Sequence, residues 1–298
     1  MRTQTVIPFE RREDFVVTPA IDAVCRRAAT YLDSGYPVHL RGSAGTGKTT
    51  LAVHVAHARG RPVSLMFGDD SLESSHLIGR EKGLQTTRVV DNFVRTVTKT
   101  EELHRPHWVD GALTTACRDG HTLVYDEFSR TRPEANNVLL MILEERMLPL
   151  PDGHNAGTHV RVHPDFRAVF TSNPADYVGV HKTQNALLDR MITIELDDYD
   201  RETEVAITAA RAGVDTQSAQ LVADVVRHVR SGVTSQRPTL RASIMLARIL
   251  RQLGGRAAFE DPLFADACLD VLHQGAVQSG AAWTAVRTSI RSAIDAVR

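Results

Sequence analysis

The sequence is poor in cysteine, in net charge and in long apolar runs. Its 298 residues include three cysteines, Cys25, Cys117 and Cys268, which lie far apart. An odd and scattered set does not form a disulfide framework, so we expect reduced thiols in a cytoplasmic protein. The formal net charge of -1 disfavours a general nucleic-acid or anionic-membrane binder. No secretory signal or membrane-spanning run is expected, because the N-terminus is polar and the apolar runs are short.

What the sequence does contain is a complete phosphate-binding loop. Residues 42–49 read Gly-Ser-Ala-Gly-Thr-Gly-Lys-Thr, between a strand-like run at 37–40 and a helix-like run at 49–56. The backbone N–H groups of such a loop enclose phosphates, its lysine reaches the β- and γ-phosphates, and its hydroxyl binds Mg²⁺. We therefore predict ATP and Mg²⁺ as ligands. The predicted nucleotide-binding residues are Gly42, Ser43, Ala44, Gly45, Thr46, Gly47, Lys48, Thr49 and Thr50, with Thr49 also a metal ligand.

An acidic pair ends a second strand-like run. Asp126 and Glu127 follow the apolar residues 122–125. A P-loop ATPase needs an acid at the end of a neighbouring strand to hold Mg²⁺, and a group that activates water. We predict that Asp126 is the metal ligand and that Glu127 is the catalytic base. For the pair alone, a strand ending in a solvated acidic turn remains the alternative.

Three further residues are predicted to act on the γ-phosphate. Asn173 follows a buried run at 168–171, and an amide there can position the attacking water without adding charge. Arg190, just before the last strand-like run, and Arg241, at the start of a late helix, can stabilise the charge that develops on the phosphate. A turn is the alternative for Asn173, and a surface salt bridge for either arginine. The reserve arginines are Arg130, Arg132 and Arg237.

The order of the predicted elements indicates an α/β fold followed by helices. Strands are predicted at 38–40, 63–67, 122–125, 168–171 and 192–196, with helices between most of them, which favours a parallel sheet covered on both faces. Pro133 begins a helix that we expect to end near Arg146. After residue 197 the pattern is helical throughout, so we predict a core domain at 1–197 and a helical domain at 198–298. Residues 148–162 form either a hairpin or a surface loop.

With these residues in view, the chain resembles the AAA+ ATPases, and among them the MoxR-like clade with an insert in its second helix. Residues 42–49 match Walker A, Asp126 and Glu127 match Walker B, and Asn173 matches sensor 1. Arg241 matches sensor 2, and Arg190 matches an arginine finger that acts on a neighbouring subunit. The resemblance implies a five-stranded parallel sheet in the order 5-1-4-3-2, a C-terminal helical lid and a homo-oligomeric ring, in the first place a hexamer.

Longer strings are similar to a family of gas vesicle proteins within this clade. They include residues 35–42, 123–128, 132–140 and 179–184. The similarity implies a cytoplasmic or vesicle-associated ATPase that assembles or enlarges gas vesicles by remodelling their structural or accessory proteins, with no nucleic-acid or membrane partner. The rival functions are a MoxR-like chaperone that activates a metalloenzyme with a partner protein, a non-catalytic scaffold and a small-molecule kinase. Glu127 argues against the scaffold, and the helical lid argues against the kinase.

Overall fold

The structure is a computed structural model, and it describes residues 15–91, 99–151, 157–173, 185–232, 237–277 and 283–297. The strands in these ranges are β1 (Val38–Gly42), β2 (Val63–Phe67), β3 (Gly79–Asp91), β4 (Lys99–Asp110), β5 (Thr122–Asp126), β6 (Met147–Pro149), β7 (His159–Arg161), β8 (Arg167–Ser172) and β9 (Ile192–Leu196). The helices are α1 (Pro19–Asp33), α2 (Lys48–Ala58), α3 (Ser74–Ile78), α4 (Ala112–Asp119), α5 (Pro133–Glu144), α6 (Asn185–Leu188), α7 (Arg201–Ala212), α8 (Thr216–Ser231), α9 (Leu240–Gln252), α10 (Pro262–Val277) and α11 (Trp283–Val297).

One five-stranded sheet has the order β2-β5-β8-β1-β9. The pairs β2·β5, β5·β8 and β8·β1 are parallel. Counted along the chain, these are the five strands predicted from the sequence, and from the β9 edge they follow the expected order 5-1-4-3-2. The predicted fold class is therefore confirmed. Because parallel strands end at one edge, the loops after β1, β5 and β8 leave the sheet on the same side.

Two antiparallel hairpins lie outside this sheet. β3 pairs with β4 from Gly79 opposite Asp110 to Asp91 opposite Lys99. This hairpin separates the short helices α3 and α4, as an insertion within one helix would. β6 pairs with β7, with Leu148 opposite Val160. Of the two interpretations of residues 148–162, the hairpin is therefore the one observed.

The described chain divides into two compact units. The first comprises Ala29–Arg41 and Val55–Ile194, and the second comprises residues 15–28, Gly42–His54 and Glu195–Arg298. The first has a core of sheet and helix side chains that includes the fully buried Leu123, Tyr125, Phe128 and Phe170. The division into domains at residue 197 stays a prediction.

The second unit contains the predicted helical segment, with a core between α8, α9, α10 and α11. Its fully buried members include Val226, Leu246, Phe264 and Ile290. Helix boundaries follow local capping chemistry, since the Asp200 carboxylate accepts the Thr203 N–H at 2.8 Å at the start of α7. None of the helices in the described ranges is long and apolar enough to cross a membrane.

Candidate active site

The loop after β1 has the backbone conformation that its glycines permit. Gly45 and Gly47 have φ values of +83° and +76°, in the left-handed region that side chains disfavour. At Gly42 the constraint is space, because a Cβ atom there would lie 2.4 Å from the Leu196 carbonyl oxygen. The loop leads directly into α2 at Lys48, so the N-terminal N–H groups of the helix adjoin it. The arrangement suits an anion with several oxygen atoms.

Lys48 and Thr46 both hydrogen-bond within this loop. The buried Lys48 ammonium donates to the Ser43 carbonyl oxygen at 2.7 Å, and the Thr46 hydroxyl donates to the same oxygen at 3.0 Å. Thr49 and Thr50 lie in the first turn of α2 and are half-buried. The lysine is thus held against the loop it belongs to, at the start of the helix.

Residues from the C-terminal segment contact the loop within the second unit. The Tyr199 hydroxyl donates to the Thr46 carbonyl oxygen at 2.8 Å. Thr239 lies against Gly45, where a Cβ atom would be 2.5 Å from the Thr239 Oγ1. Thr239 also caps α9 by accepting the Arg241 N–H at 3.3 Å. Arg241 therefore has an exposed side chain in the first turn of a helix whose cap packs on the phosphate-binding loop.

The acidic pair after β5 is held by Thr171 of β8. The buried Asp126 carboxylate accepts the Thr171 hydroxyl at 2.5 Å, and that hydroxyl accepts the Glu127 N–H at 2.9 Å. On the other side, the Gly68 N–H donates to the Asp126 carbonyl oxygen at 2.7 Å. Both neighbouring chain segments therefore fix the end of β5.

Glu127 has an unusual backbone conformation. Its φ and ψ are 51° and 39°, in the left-handed region, which costs a residue with a side chain about 1–2 kcal/mol. Such outliers are concentrated at functional sites. The Glu127 carboxylate is partly exposed and forms an ion pair of 2.8 Å with Arg130, and hydrogen bonding to Glu127 raises the pKa of Arg130. Arg130 is therefore occupied with the predicted base on its own chain.

The other predicted residues lie directly after β8, after α6, before α5 and before α9. Asn173 directly follows β8, and its Oδ1 is buried without a hydrogen-bond partner among the described atoms. Arg190 pairs with Glu144 at 2.6 Å and donates to the Ala186 carbonyl oxygen at 2.6 Å. Arg132 pairs with Asp70 at 3.1 Å, and Arg237 lies 3.5 Å from Asp198.

Sequence reasoning missed Thr171, Tyr199 and Thr239. Thr171 lies in the predicted strand before Asn173, but threonine is common in strands and does not by itself indicate a site. Its position beside the acidic pair becomes clear only when the register between the two strands is known. Tyr199 and Thr239 each directly precede a helix cap or form one, which gives a local reason for their position. Their contacts with the phosphate-binding loop are visible only in the structure.

The comparisons with known proteins agree with this fold. Residues 37–191 match the family model of the AAA domain of the dynein-related subfamily. A Thermotoga maritima RuvB mutant has a similar fold, with a TM-score of 0.52 at 17% identity, over 80% of this chain and 64% of that one. Fold, loop and family model together define an ATP-hydrolysing enzyme of the AAA class.

Curated relatives narrow this class. The gas vesicle ATPase GvpN of Ancylobacter aquaticus is 47% identical over 96% of this chain and 80% of its own length. The gas vesicle ATPase GvpN of Haloferax mediterranei is 44% identical over 87% of this chain and 74% of its own length. The chain belongs to the gas vesicle ATPase GvpN family.

Proposed function

We propose that this ATPase uses ATP hydrolysis to remodel gas vesicle structural or accessory proteins during the assembly or enlargement of gas vesicles. The observation that carries the proposal is the similarity to named gas vesicle ATPases over almost the whole chain, at 47% identity. The phosphate-binding loop and the Asp126–Glu127 turn supply the chemistry that such work requires. The proposal places the protein in the cytoplasm or on the vesicle, without a nucleic-acid or membrane partner.

The nucleotide would be bound by residues 42–50. The residues fit MgATP because Gly45 and Gly47 adopt the left-handed conformation of a phosphate-binding loop, and because Lys48 adjoins it. Thr49 and Asp126 carry the oxygen atoms that Mg²⁺ prefers, and we assign the metal to them. Bound Mg²⁺ supplies neutralisation of phosphate charge.

Four residues are assigned to the hydrolytic step. Glu127 accepts a proton from the attacking water, and Asn173 orients that water. Among the described residues, the buried Oδ1 of Asn173 has no hydrogen-bond partner, which supports this role because such atoms usually serve a ligand or a water. Arg241 and Arg190 stabilise the charge on the γ-phosphate. We assign residues 1–197 to the nucleotide-binding core and 198–298 to a lid.

The role proposed for Arg190 requires a neighbouring subunit. AAA ATPases typically form rings, and we propose a homo-hexamer in which Arg190 acts on the nucleotide of a neighbouring subunit. In the structure of the single chain, Arg190 pairs with Glu144. Formation of the ring would then require Arg190 to exchange this carboxylate for the phosphate of the neighbour.

The site assignment is tested with Lys48→Ala and Glu127→Gln. We expect Lys48→Ala to weaken ATP binding, and Glu127→Gln to bind ATP while hydrolysing it very slowly. Glu145→Gln, an exposed glutamate at the end of α5, is the matched control and should behave as wild type. Normal turnover in Glu127→Gln would show that Glu127 is not the catalytic base.

The action of Arg190 on a neighbour is tested by mixing subunits. Arg190→Ala should bind ATP but not hydrolyse it, and mixing it with Glu127→Gln should restore part of the activity. Glu144→Ala breaks the same ion pair but keeps the arginine, so it should retain turnover. No restoration at any mixing ratio would contradict the proposed ring site.

The role in vesicle formation is tested in the host. We expect deletion of the gene to abolish or shrink gas vesicles in electron micrographs, and a plasmid copy of the wild type, but not of Glu127→Gln, to restore them. Normal vesicles in the deletion strain would reject the role and favour another client, such as a metalloenzyme. Full restoration by Glu127→Gln would instead favour a scaffold that does not hydrolyse ATP.

A further inference from the structure

One hydroxyl group joins the two acidic residues that end β5. Thr171 is fully buried, and its Oγ1 contacts the Asp126 carboxylate at 2.5 Å and the Glu127 backbone nitrogen at 2.9 Å. The direction of both bonds is determined, because a backbone N–H can only donate. The hydroxyl must accept from Glu127, and its single proton is then donated to Asp126. Thr171 thereby restricts the rotation of the Asp126 carboxylate and keeps its Oδ1 as an acceptor.

The strand register explains why Thr171 is at this place. β5 and β8 are parallel, with Tyr125 opposite Phe170, so Asp126 and Thr171 come next on the two strands. Asn173 is two residues further along, and side chains two residues apart on an extended chain point to the same face. Thr171 therefore lies on the Asn173 side of β8, beside the end of β5.

The turn at Glu127 is enclosed on its other side as well. The Gly68 N–H donates to the Asp126 carbonyl oxygen at 2.7 Å. A Cβ atom on Gly68 would lie 2.0 Å from the Glu127 carbonyl oxygen, so the two chain segments are in close contact. The backbone at Gly68 therefore closes one side of the turn. On the other side, the Thr171 hydroxyl accepts the Glu127 N–H and so sets the direction of that bond.

We propose that Thr171 is a positioning residue for ATP hydrolysis, whose hydroxyl orients the Asp126 carboxylate and holds Glu127 in its left-handed turn. The inference rests on the proposed function, which gives the metal to Asp126 and the water to Glu127. Thr171 itself does not touch the substrate. Its hydroxyl acts through the two acidic residues, so its loss should affect the metal and the turnover more than the binding of the nucleotide by residues 42–50.

The test is Thr171→Val, which keeps the branched shape and removes both hydrogen bonds. We expect kcat to fall about 10- to 100-fold, as is usual when a hydrogen-bond partner of a metal ligand is lost. Calorimetry with and without Mg²⁺ gives a second readout. ATP affinity in EDTA should stay at the wild-type value, whereas the gain in affinity on adding Mg²⁺ should shrink. Thr171→Ser keeps the hydroxyl and should restore both quantities.

Thr122→Val is the matched control. Thr122 is also a fully buried strand threonine, on β5, and its hydroxyl has no hydrogen-bond partner among the described atoms. Its replacement should leave kcat and the effect of Mg²⁺ unchanged. If Thr171→Val does not fold, as judged by thermal unfolding, Thr171→Ala is compared with Thr171→Ser in the same assays.

The inference is overturned if Thr171→Val shows wild-type kcat and Mg²⁺ dependence, or if Thr171→Ser is as impaired as Thr171→Val. Glu127→Gln, measured in the same assay, separates this failure from failure of the proposed function. An inactive Glu127→Gln with an active Thr171→Val rejects only the positioning role. An active Glu127→Gln rejects the hydrolytic assignment on which that role depends.

Discussion

The Tyr199 hydroxyl donates a hydrogen bond of 2.8 Å to the Thr46 carbonyl oxygen in the phosphate-binding loop. Burial raises the pKa of Tyr199 to about 12, so the phenol remains a donor at every physiological pH. Tyr199→Phe removes this bond and keeps the ring. We expect the free energy of ATP binding to weaken by about 1 kcal/mol. The ATP dissociation constant, measured by calorimetry, should then be about fivefold higher. Tyr36→Phe, at an exposed tyrosine, should change nothing. Equal affinities in both variants would contradict a role for the bond.

A side chain at position 45, in place of Gly45, is predicted to be unfavourable for two separate reasons. The φ of Gly45 is +83°, and an added Cβ atom would lie 2.5 Å from the Thr239 Oγ1. Gly60 is a matched control, because its φ is +67° but no atom of the described part of the chain lies within 4 Å of an added Cβ atom. Gly60→Ala should cost about 1–2 kcal/mol of unfolding free energy and leave ATP binding unchanged.

Gly45→Ala carries the same backbone strain and also displaces Thr239 or the loop. We expect ATP affinity to fall more than about tenfold, which corresponds to a loss of more than about 1.4 kcal/mol of binding free energy. Equilibrium binding of a fluorescent nucleotide, beside urea unfolding, separates the two effects. An affinity as high in Gly45→Ala as in Gly60→Ala would show that the contact with Thr239 is of no consequence.

The fold was predictable from sequence where the physical cause is local. Buried parallel strands must be apolar and short, and β1, β2, β5, β8 and β9 satisfy this in the residues themselves. The phosphate-binding loop is equally local, because left-handed turns need glycine. The hairpin of β3 and β4 was not predicted as strands, because these segments are rich in polar residues and their pairing depends on each other.

The same limit applies to the site. Lys48, Asp126 and Glu127 could be predicted as site residues from the sequence, because each belongs to a motif whose spacing indicates its chemistry. Thr171 is 45 residues from Asp126, and Tyr199 is 153 residues from Thr46. A single sequence does not indicate such pairs, because strand register and the return of the chain to the loop are set by tertiary packing.

A buried ion pair in the second unit is predicted to be sensitive to the loss of one partner. Glu204 is 1% exposed, and it pairs with Arg230, which is 4% exposed, at 2.6 Å and with Arg227 at 2.9 Å. Glu204→Gln leaves the Arg230 charge buried without its counter-charge. We expect a loss of about 3–5 kcal/mol of unfolding free energy in urea denaturation.

Two further variants test this prediction for Glu204. Glu202→Gln changes an exposed glutamate on the same helix and should cost less than about 0.5 kcal/mol. The double variant Glu204→Gln with Arg230→Met removes both buried charges, and it should be more stable than Glu204→Gln alone. A double variant that is less stable than the single one would mean that Arg230 stabilises α8 mainly through its bond to the Pro238 carbonyl oxygen.

His39 is predicted to make the protein less stable in mild acid. It is the second residue of β1 and is 2% exposed, and its ring nitrogens contact the Ser172 hydroxyl at 2.8 Å and the Thr193 hydroxyl at 3.1 Å. Burial, with a smaller effect of Arg41, lowers its pKa to about 4. Between the ordinary pKa near 6.5 and this value, the unfolded chain binds a proton that the folded chain does not.

The unfolding free energy should therefore decrease as the pH falls from about 6.5 to 4, by about 3 kcal/mol in total from this residue. Below that range both states carry the proton, and the contribution of His39 no longer changes. His39→Gln retains a side chain that hydrogen-bonds but does not titrate, so its stability should depend less on pH in this window, whatever its value at pH 7. His228→Gln, at an exposed histidine, should keep the wild-type slope. Urea denaturation at half-unit steps of pH measures all three slopes, and equal slopes for His39→Gln and the wild type would assign the acid sensitivity to other groups.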